Sequence, residues 1–290
     1  MDTNQLSAFI TVAETGSFSL AAEKLYLTQP AVSKRIAVLE QILSTSLFDR
    51  IGKRVSLTEA GKVLLPRASK LVRELDDARL AIQNLARQVS GRLPIAASHH
   101  IGLHRLPPVL KNFSRQYPDV MMDISFLDSE QAYKQVLHGE VELAIVTLAL
   151  DNVDRIQQRA IWNDELQVMT STDHPLTKYR KLQLSDLLQY PAILPGENTF
   201  TRQLIDKLFR DNRLQLNVEM STNYLETIRM IVSIGMAWSI LPVSMLDPGL
   251  KALPIRNINL SRKLGYIYHL EHTQSNACRA FTQELERYSD

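Results

Sequence analysis

The stretch Thr28-Gln29-Pro30-Ala31-Val32-Ser33-Lys34-Arg35-Ile36-Ala37-Val38-Leu39-Glu40-Gln41-Ile42-Leu43 decides how the first part of the chain is read. Thr28 can cap a helix and Pro30 suits its first turn, where a missing N–H costs nothing. Val32, Ile36, Leu39 and Leu43 fall at i, i+4, i+7 and i+11, which makes one apolar stripe. Gln29, Ser33 and Lys34 lie off that stripe, near the helix start. A recognition helix meets base edges and phosphates there, in a major groove. Alone, the stretch reads as an ordinary amphipathic helix with a solvated face; its neighbours reverse that reading.

Upstream, Leu6, Phe9, Ile10 and Ala13 define a helical face, with Thr3 or Asn4 as cap and Gly16 as terminator. Ala21, Ala22 and Leu25 form a second, short helix, and Tyr26-Leu27 turns the chain into the quoted stretch. Three short helices so connected predict a helix-turn-helix. Downstream, two short extended runs flank Ile51-Gly52-Lys53, which predicts a β-hairpin wing. Arg50, Lys53 and Arg54 would straddle phosphates at its tip; a solvated basic loop has the same residues. Thr58 then caps a long helix with Glu59 in its first turn. Leu64, Ala68, Leu71, Leu75, Ala78, Ile82, Leu85 and Val89 step by alternating fours and threes, a coiled-coil seam. So narrow a stripe on a helix roughly 45 Å long predicts a partner helix from a second copy. Ser90-Gly91 closes it.

The full chain has 290 residues, enough for about two domains with their own cores. Its mix of 45% hydrophobic and 22% charged residues is that of a globular protein. The formal charge of +2 says little, but residues 21–70 hold nine cations against four anions, leaving the remainder net negative. A basic end on an otherwise acidic chain fits a phosphate-binding module. Cys278 is the only cysteine, which excludes an intramolecular disulfide and a cysteine-cluster metal site. No apolar run long enough to span a membrane and no secretory leader is evident, so a cytoplasmic location is expected.

The order helix, Gly-Ser-Phe-Ser, Ala-Ala, Leu, Thr-Gln-Pro-Ala-Val-Ser, Leu-Glu, Leu-Phe-Asp-Arg and Leu-Thr-Glu-Ala-Gly resembles the LysR-type transcriptional regulators, continuously from about Leu6 to Leu65. The resemblance implies that Gln29, Pro30, Ser33 and Lys34 approach the major groove and that Arg50 and Arg54 lie near the DNA backbone. It implies a winged helix-turn-helix over 1–58, a linker and dimerisation helix over 59–90 and an effector-binding domain over 91–290. It also implies dimers or tetramers bound to an inverted repeat in double-stranded DNA. The expected fold class is α/β overall, with a mainly α N-terminal module.

From residue 91 the pattern alternates between strands and helices, which predicts a mostly parallel sheet covered on both faces. A single helix is expected from Ile101 to Tyr117, and capping boxes at Asp128–Gln131 and Asn223–Glu226. The family resemblance implies a periplasmic-binding-protein-like pair of α/β subdomains joined by crossing strands. The first is placed at about 92–162 plus 267–290 and the second at about 163–266. Ligands in such sheets bind at the carboxyl ends of strands, near helix N-termini. Small polar residues occur at four such junctions: Ser98-His99-His100, Ser129, Thr147, and Thr199 with Thr201. Hydroxyls with positive helix ends favour a small anion, most simply a carboxylate. Simple helix capping explains each residue singly, and only the resemblance brings them to one cleft. His99 and His100 depart from the hydroxyl residues often found there; they add a titrating donor or merely cap. Arg202 reads either as a partner for a ligand charge or, more simply, as an exposed helix arginine, and Trp238 is expected to be core.

No nucleophile elbow, phosphate loop or His-Glu-x-x-His occurs, so an enzyme is not expected, and neither is a cofactor or metal. The reading is a DNA-binding regulator modulated by a small effector, whose subdomain angle sets DNA bending and RNA polymerase contact. The alternative is an oligomeric architectural DNA-binding protein without a ligand.

Overall fold

The computed structural model describes residues 1–51, 54–255 and 258–290; the side chains of Arg50, Ile51 and Arg54 also stand outside the description. The chain divides into two compact units, Met1–Ala86 and Arg87–Asp290.

In the first unit, α1 spans Thr3–Thr15. Its cap is Asp2 rather than Thr3 or Asn4. The Asp2 carboxylate accepts the Gln5 N–H at 2.8 Å while Gln5 Oε1 accepts the Asp2 N–H at 2.9 Å, a reciprocal capping box. Gly16, at φ 62°, ends the helix in the left-handed conformation that a glycine adopts without strain. Helix α2 spans Phe18–Lys24 and α3 spans Gln29–Leu43; Thr28 holds the cap position of α3 without a side-chain bond. Val32, Ile36 and Leu39 are buried against Leu6, Phe9, Val12 and Phe48, whereas Leu43 at the end of the stripe is exposed. Strands β1 (Phe48–Ile51) and β2 (Arg54–Leu57) pair antiparallel, a hairpin rather than a loop. Glu40 Oε1 on α3 accepts the Leu47 N–H at 2.7 Å and ties the hairpin to that helix.

Helix α4 runs Glu59–Asn84 from a Thr58 cap, short of the expected residue 90. Arg87, at φ 53°, leaves helical conformation. Val89, expected on the helix seam, instead packs against the core of the second unit. Of the remaining seam, Ala68 is buried in the first unit, while Leu71, Leu75, Ile82 and Leu85 are exposed.

The second unit contains β3 (Gly91–Ala97), α5 (His99–His104), α6 (Leu106–Gln116), β4 (Val120–Phe126), α7 (Ser129–His138), β5 (Leu143–Thr147) and β6 (Ile156–Ser171). It continues with β7 (Ala192–Leu194), α8 (Phe200–Asp211), β8 (Val218–Ser221), α9 (Leu225–Ser233), β9 (Ser239–Pro242), β10 (Leu250–Leu253), β11 (Leu260–His269) and α10 (Asn276–Glu286). The single helix expected from Ile101 to Tyr117 is two, broken at Arg105. Pro107 and Pro108 supply no N–H to the preceding turn and suit the start of a new helix.

Strands β3, β4 and β5 are parallel, with α6 and α10 packed over one face and α7 over the other. Strand β7 pairs parallel with β8. The expectation of a mostly parallel sheet fails at β6 and β11. These two run antiparallel to each other from Ile156–His269 to Leu166–Leu260, and their edges recruit β5, β9 and β10, all antiparallel. The reason is geometric: a strand that leaves one subdomain must be met by one that returns. Trp162 and Leu264 belong to the core of subdomain I, Leu166 and Leu260 to that of subdomain II. The return crossing therefore falls between Leu260 and Leu264.

Candidate functional site

Two surfaces carry the candidate residues. On α3, Gln29, Pro30 and Lys34 are exposed and Ser33 is half-buried. Gln29 Nε2 donates to Ser33 Oγ at 3.0 Å, so these two side chains, one turn apart, form a polar pair at the start of α3, flanking the buried stripe of Val32 and Ile36. Lys53 lies outside the described residues, as do the side chains of Arg50 and Arg54; the backbone of Arg54 pairs with Ile51 in the hairpin.

In the second unit, parallel pairing aligns the carboxyl ends of β3, β4 and β5, with Ala97 beside Phe126 and Ile145. Ser98, Asp128-Ser129 and Thr147 therefore emerge side by side. Across from them, the carboxyl ends of β7 and β8 deliver Pro195 to Thr201 and Asn223, and β11 passes between with Arg262. Together they enclose a cavity of about 60 Å³ lined by Ser98, His99, His100, Ser129, Thr147, Thr199 and Thr201. At about 10–15 Å³ for a water-sized probe, that is room for a ligand of only a few heavy atoms. The sequence reading assigned all seven of these to the ligand site; Asp128 and Asn223 it read as helix caps and Glu130 and Arg262 it gave no role, yet all four line the same cavity.

The hydroxyls have different duties. Thr199 Oγ1 accepts the Arg202 N–H at 3.2 Å and donates to Gly196 O at 2.8 Å, capping α8. Ser129 Oγ accepts the Thr147 N–H at 3.1 Å, holding the end of β5. Thr201 Oγ1 accepts from Arg262 Nη1 at 2.7 Å. Ser98 does not cap the helix that follows it. Arg262 also donates from Nε to Asp164 at 2.8 Å, and both partners of that ion pair are buried. Arg202 is buried too, contrary to the expected exposed position: Nε donates to Asp206 at 2.8 Å and Nη1 to Pro195 O at 3.2 Å. Trp238 is core, its Nε1 donating to Leu187 O.

Two bonds that cross the cleft end on carboxylates of subdomain I. Glu130 Oε1 accepts the Phe200 N–H, at the N-terminus of α8, at 2.6 Å. Asp128 Oδ2 accepts from Asn223 Nδ2 at 2.6 Å, and Asn223 Oδ1 accepts the Gly196 N–H at 2.9 Å. Neither Asp128 nor Asn223 caps its own helix as expected, because these cross-cleft partners engage their side chains. Burial, outweighing the Phe200 bond, raises the Glu130 carboxyl above the ordinary carboxylate range.

The histidines sit at the mouth. His99 packs 5.0 Å from the Tyr224 ring and 6.3 Å from that of Phe126. His100 is 7% exposed, its Nδ1 has no hydrogen-bond partner, and burial first, then the Arg262 charge, pushes its pKa down to about 3. His104 Nε2 stands 3.3 Å from Glu226 Oε1 on α9.

Family models match both parts of the chain: "Bacterial regulatory helix-turn-helix protein, lysR family" over residues 3–62 and "LysR substrate binding domain" over residues 86–290. A probable RuBisCO transcriptional regulator from Synechocystis sp. is 30% identical across 97% of this chain and 85% of its own. Among solved structures, full-length CbnR in complex with its target DNA shares the fold at a TM-score of 0.64 and 21% identity, covering 100% of both chains. The effector-binding domain of QuiR in complex with shikimate does so at 0.63 and 24%, over 69% of this chain and 97% of that one. Among the described residues no helix is long and apolar enough to cross a membrane.

Proposed function

The chain belongs to the LysR family of DNA-binding transcriptional regulators with a substrate-binding effector domain, not to a family of enzymes, and we propose from that premise how it works. The α3 face of Gln29, Pro30, Ser33 and Lys34, with the wing cations Arg50, Lys53 and Arg54, reads an inverted repeat in double-stranded DNA as a dimer. A small carboxylate held between the effector subdomains changes their angle, and through it the spacing of the DNA-reading heads.

One observation carries the choice of a carboxylate. The cleft's inward donors, the Phe200 N–H and Asn223 Nδ2, already serve carboxylate oxygens, those of Glu130 and Asp128. A carboxylate from solution that displaced either side chain would meet the same donors in the same geometry. The uncapped Ser98 hydroxyl and the buried Arg262 guanidinium add to that preference. Shikimate, bound by the QuiR effector domain, is itself a hydroxylated carboxylate.

The experiment measures thermal shifts of the full chain against small carboxylates and their neutral amides, with operator binding followed in parallel. Carboxylates should raise the midpoint and amides should not. Ser98→Ala should weaken the response about tenfold, the scale of one hydrogen bond of about 1.4 kcal/mol, and leave DNA affinity unchanged. Equal response to amides, or equal loss of DNA binding, would refute the reading.

A further inference from the structure

Three potential metal ligands meet beside the effector cavity, and of these only His100 also lines it. His100 and His104 stand one turn apart on α5, at His-x-x-x-His spacing, in subdomain I. Glu226 comes from the first turn of α9 in subdomain II. One ligand atom from each lies within 4.8 Å of the other two. We propose that His100 Nδ1, His104 Nε2 and a Glu226 carboxylate oxygen bind a divalent transition-metal ion, Zn2+ foremost, which clamps the two subdomains together.

The distances fit with small adjustment. Tetrahedral zinc with bonds of about 2.0–2.1 Å holds its ligand atoms roughly 3.3–3.4 Å apart. His104 Nε2 to Glu226 Oε1 is 3.3 Å, and His100 Nδ1 to the same oxygen is 3.9 Å. Two imidazoles and one carboxylate make a donor set that zinc uses with a fourth position left open. Imidazole nitrogens also select against Mg2+ and Ca2+, which take oxygen ligands.

His100 supplies the independent sign. It is buried, yet its Nδ1 finds no partner within the protein. Buried polar atoms are almost always bonded, so an orphan facing a second histidine and a carboxylate marks a site with a missing occupant. Burial keeps this imidazole neutral at physiological pH, the form that coordinates. The site would also act on the whole unit. Because its ligands come from both subdomains, metal binding favours the closed cleft by its differential affinity for that state.

The test uses tag-free, chelator-treated full-length protein and the metal alone. Calorimetric titration with zinc chloride should give one ion per chain. Co2+ in its place should develop the visible absorption of a tetrahedral site. Losing an outer-shell partner costs about 10- to 100-fold in metal affinity, and losing a direct ligand should cost at least that. His104→Ala and Glu226→Gln, both at partly exposed side chains, should show that loss, while His138→Ala on the surface should not. No binding by the wild-type chain, or wild-type affinity in both variants, overturns the proposal. Glu226→Gln with chelator present should keep its carboxylate response, so failure here is distinguishable from failure of the effector reading.

Discussion

At the scale of single residues, His100 makes acid a specific threat to the effector unit. Its pKa is pushed from 6.5 to about 3, mainly by burial. The folded chain therefore keeps this ring neutral where the unfolded chain protonates it, below pH 6.5. Stability is then undiminished above that value and falls as the pH drops through the window from 6.5 to 3, by about 1.4 kcal/mol per unit. Urea midpoints of metal-free protein at pH 7.5 and 5.5 check this. His100→Gln should be less acid-sensitive by about 1 kcal/mol over that interval, and an identical slope in the two proteins would show that the native ring takes the proton. The same scale shows what local sequence conceals. Ser98, Ser129, Thr147, Thr199 and Thr201 were legible because each follows a strand or opens a helix, and hydroxyls there have a stated job. Arg262 carries no such mark: its partners Asp164 and Thr201 are remote in sequence and meet it only through the crossing strands. Asp128 and Asn223 misled for the opposite reason. Their positions before helices read as caps, yet a partner across the cleft outcompetes the helix end for each side chain.

At the scale of elements, the crossing of β6 and β11 depends on one glycine. The register of the pair shifts between Leu264 and Gly265, and a Cβ at Gly265 would lie 1.9 Å from Arg159 O and 2.9 Å from Arg159 C. Backbone atoms cannot swing aside as a side chain can. Gly265→Ala should therefore force the two strands apart where one subdomain gives way to the other. Overpacking of this kind costs about 1–3 kcal/mol and sometimes more. Chemical denaturation of the full chain should show the effector unit unfolding earlier by that amount, and an unchanged midpoint would mean that the strands separate freely there. The helices of the first unit were readable from the 3.6-residue period of Leu6, Phe9, Val32, Ile36 and Leu39, because local spacing alone determines which side faces the core. The antiparallel crossing was not. Strand direction depends on where a chain returns from, and neither apolar run of β6 or β11 records the other.

At the scale of the whole molecule, α4 poses a problem that one copy does not solve. Leu71 and Leu75 are each 47% exposed, Ile82 70% and Leu85 80%, all on one coiled-coil seam of a helix that begins at Glu59. Burying a large aliphatic side chain contributes about 1.5–3 kcal/mol. Two copies bring eight such side chains to one seam. Even discounted for area already covered, their burial is on the order of 10 kcal/mol, comparable to the roughly 4–15 kcal/mol lost to association entropy. Added packing from Ala78 and the rest of the helix then favours a dimer, and a two-fold pair of α3 helices matches two half-sites of an inverted repeat. Leu75→Glu with Ile82→Glu places like charges opposite each other on the shared seam without touching the buried residues of the first unit. Sedimentation should show the variant as a monomer where the wild-type chain is at least a dimer. Its affinity for the full inverted repeat should fall to that for an isolated half-site, because the gain from linking two heads is lost with the link. The helix-turn-helix should stay folded, since Ala68 and the core around Phe9 are unchanged. A variant that remained dimeric and bound the full repeat as tightly as before would assign the pairing to another surface and leave the exposed seam without a purpose.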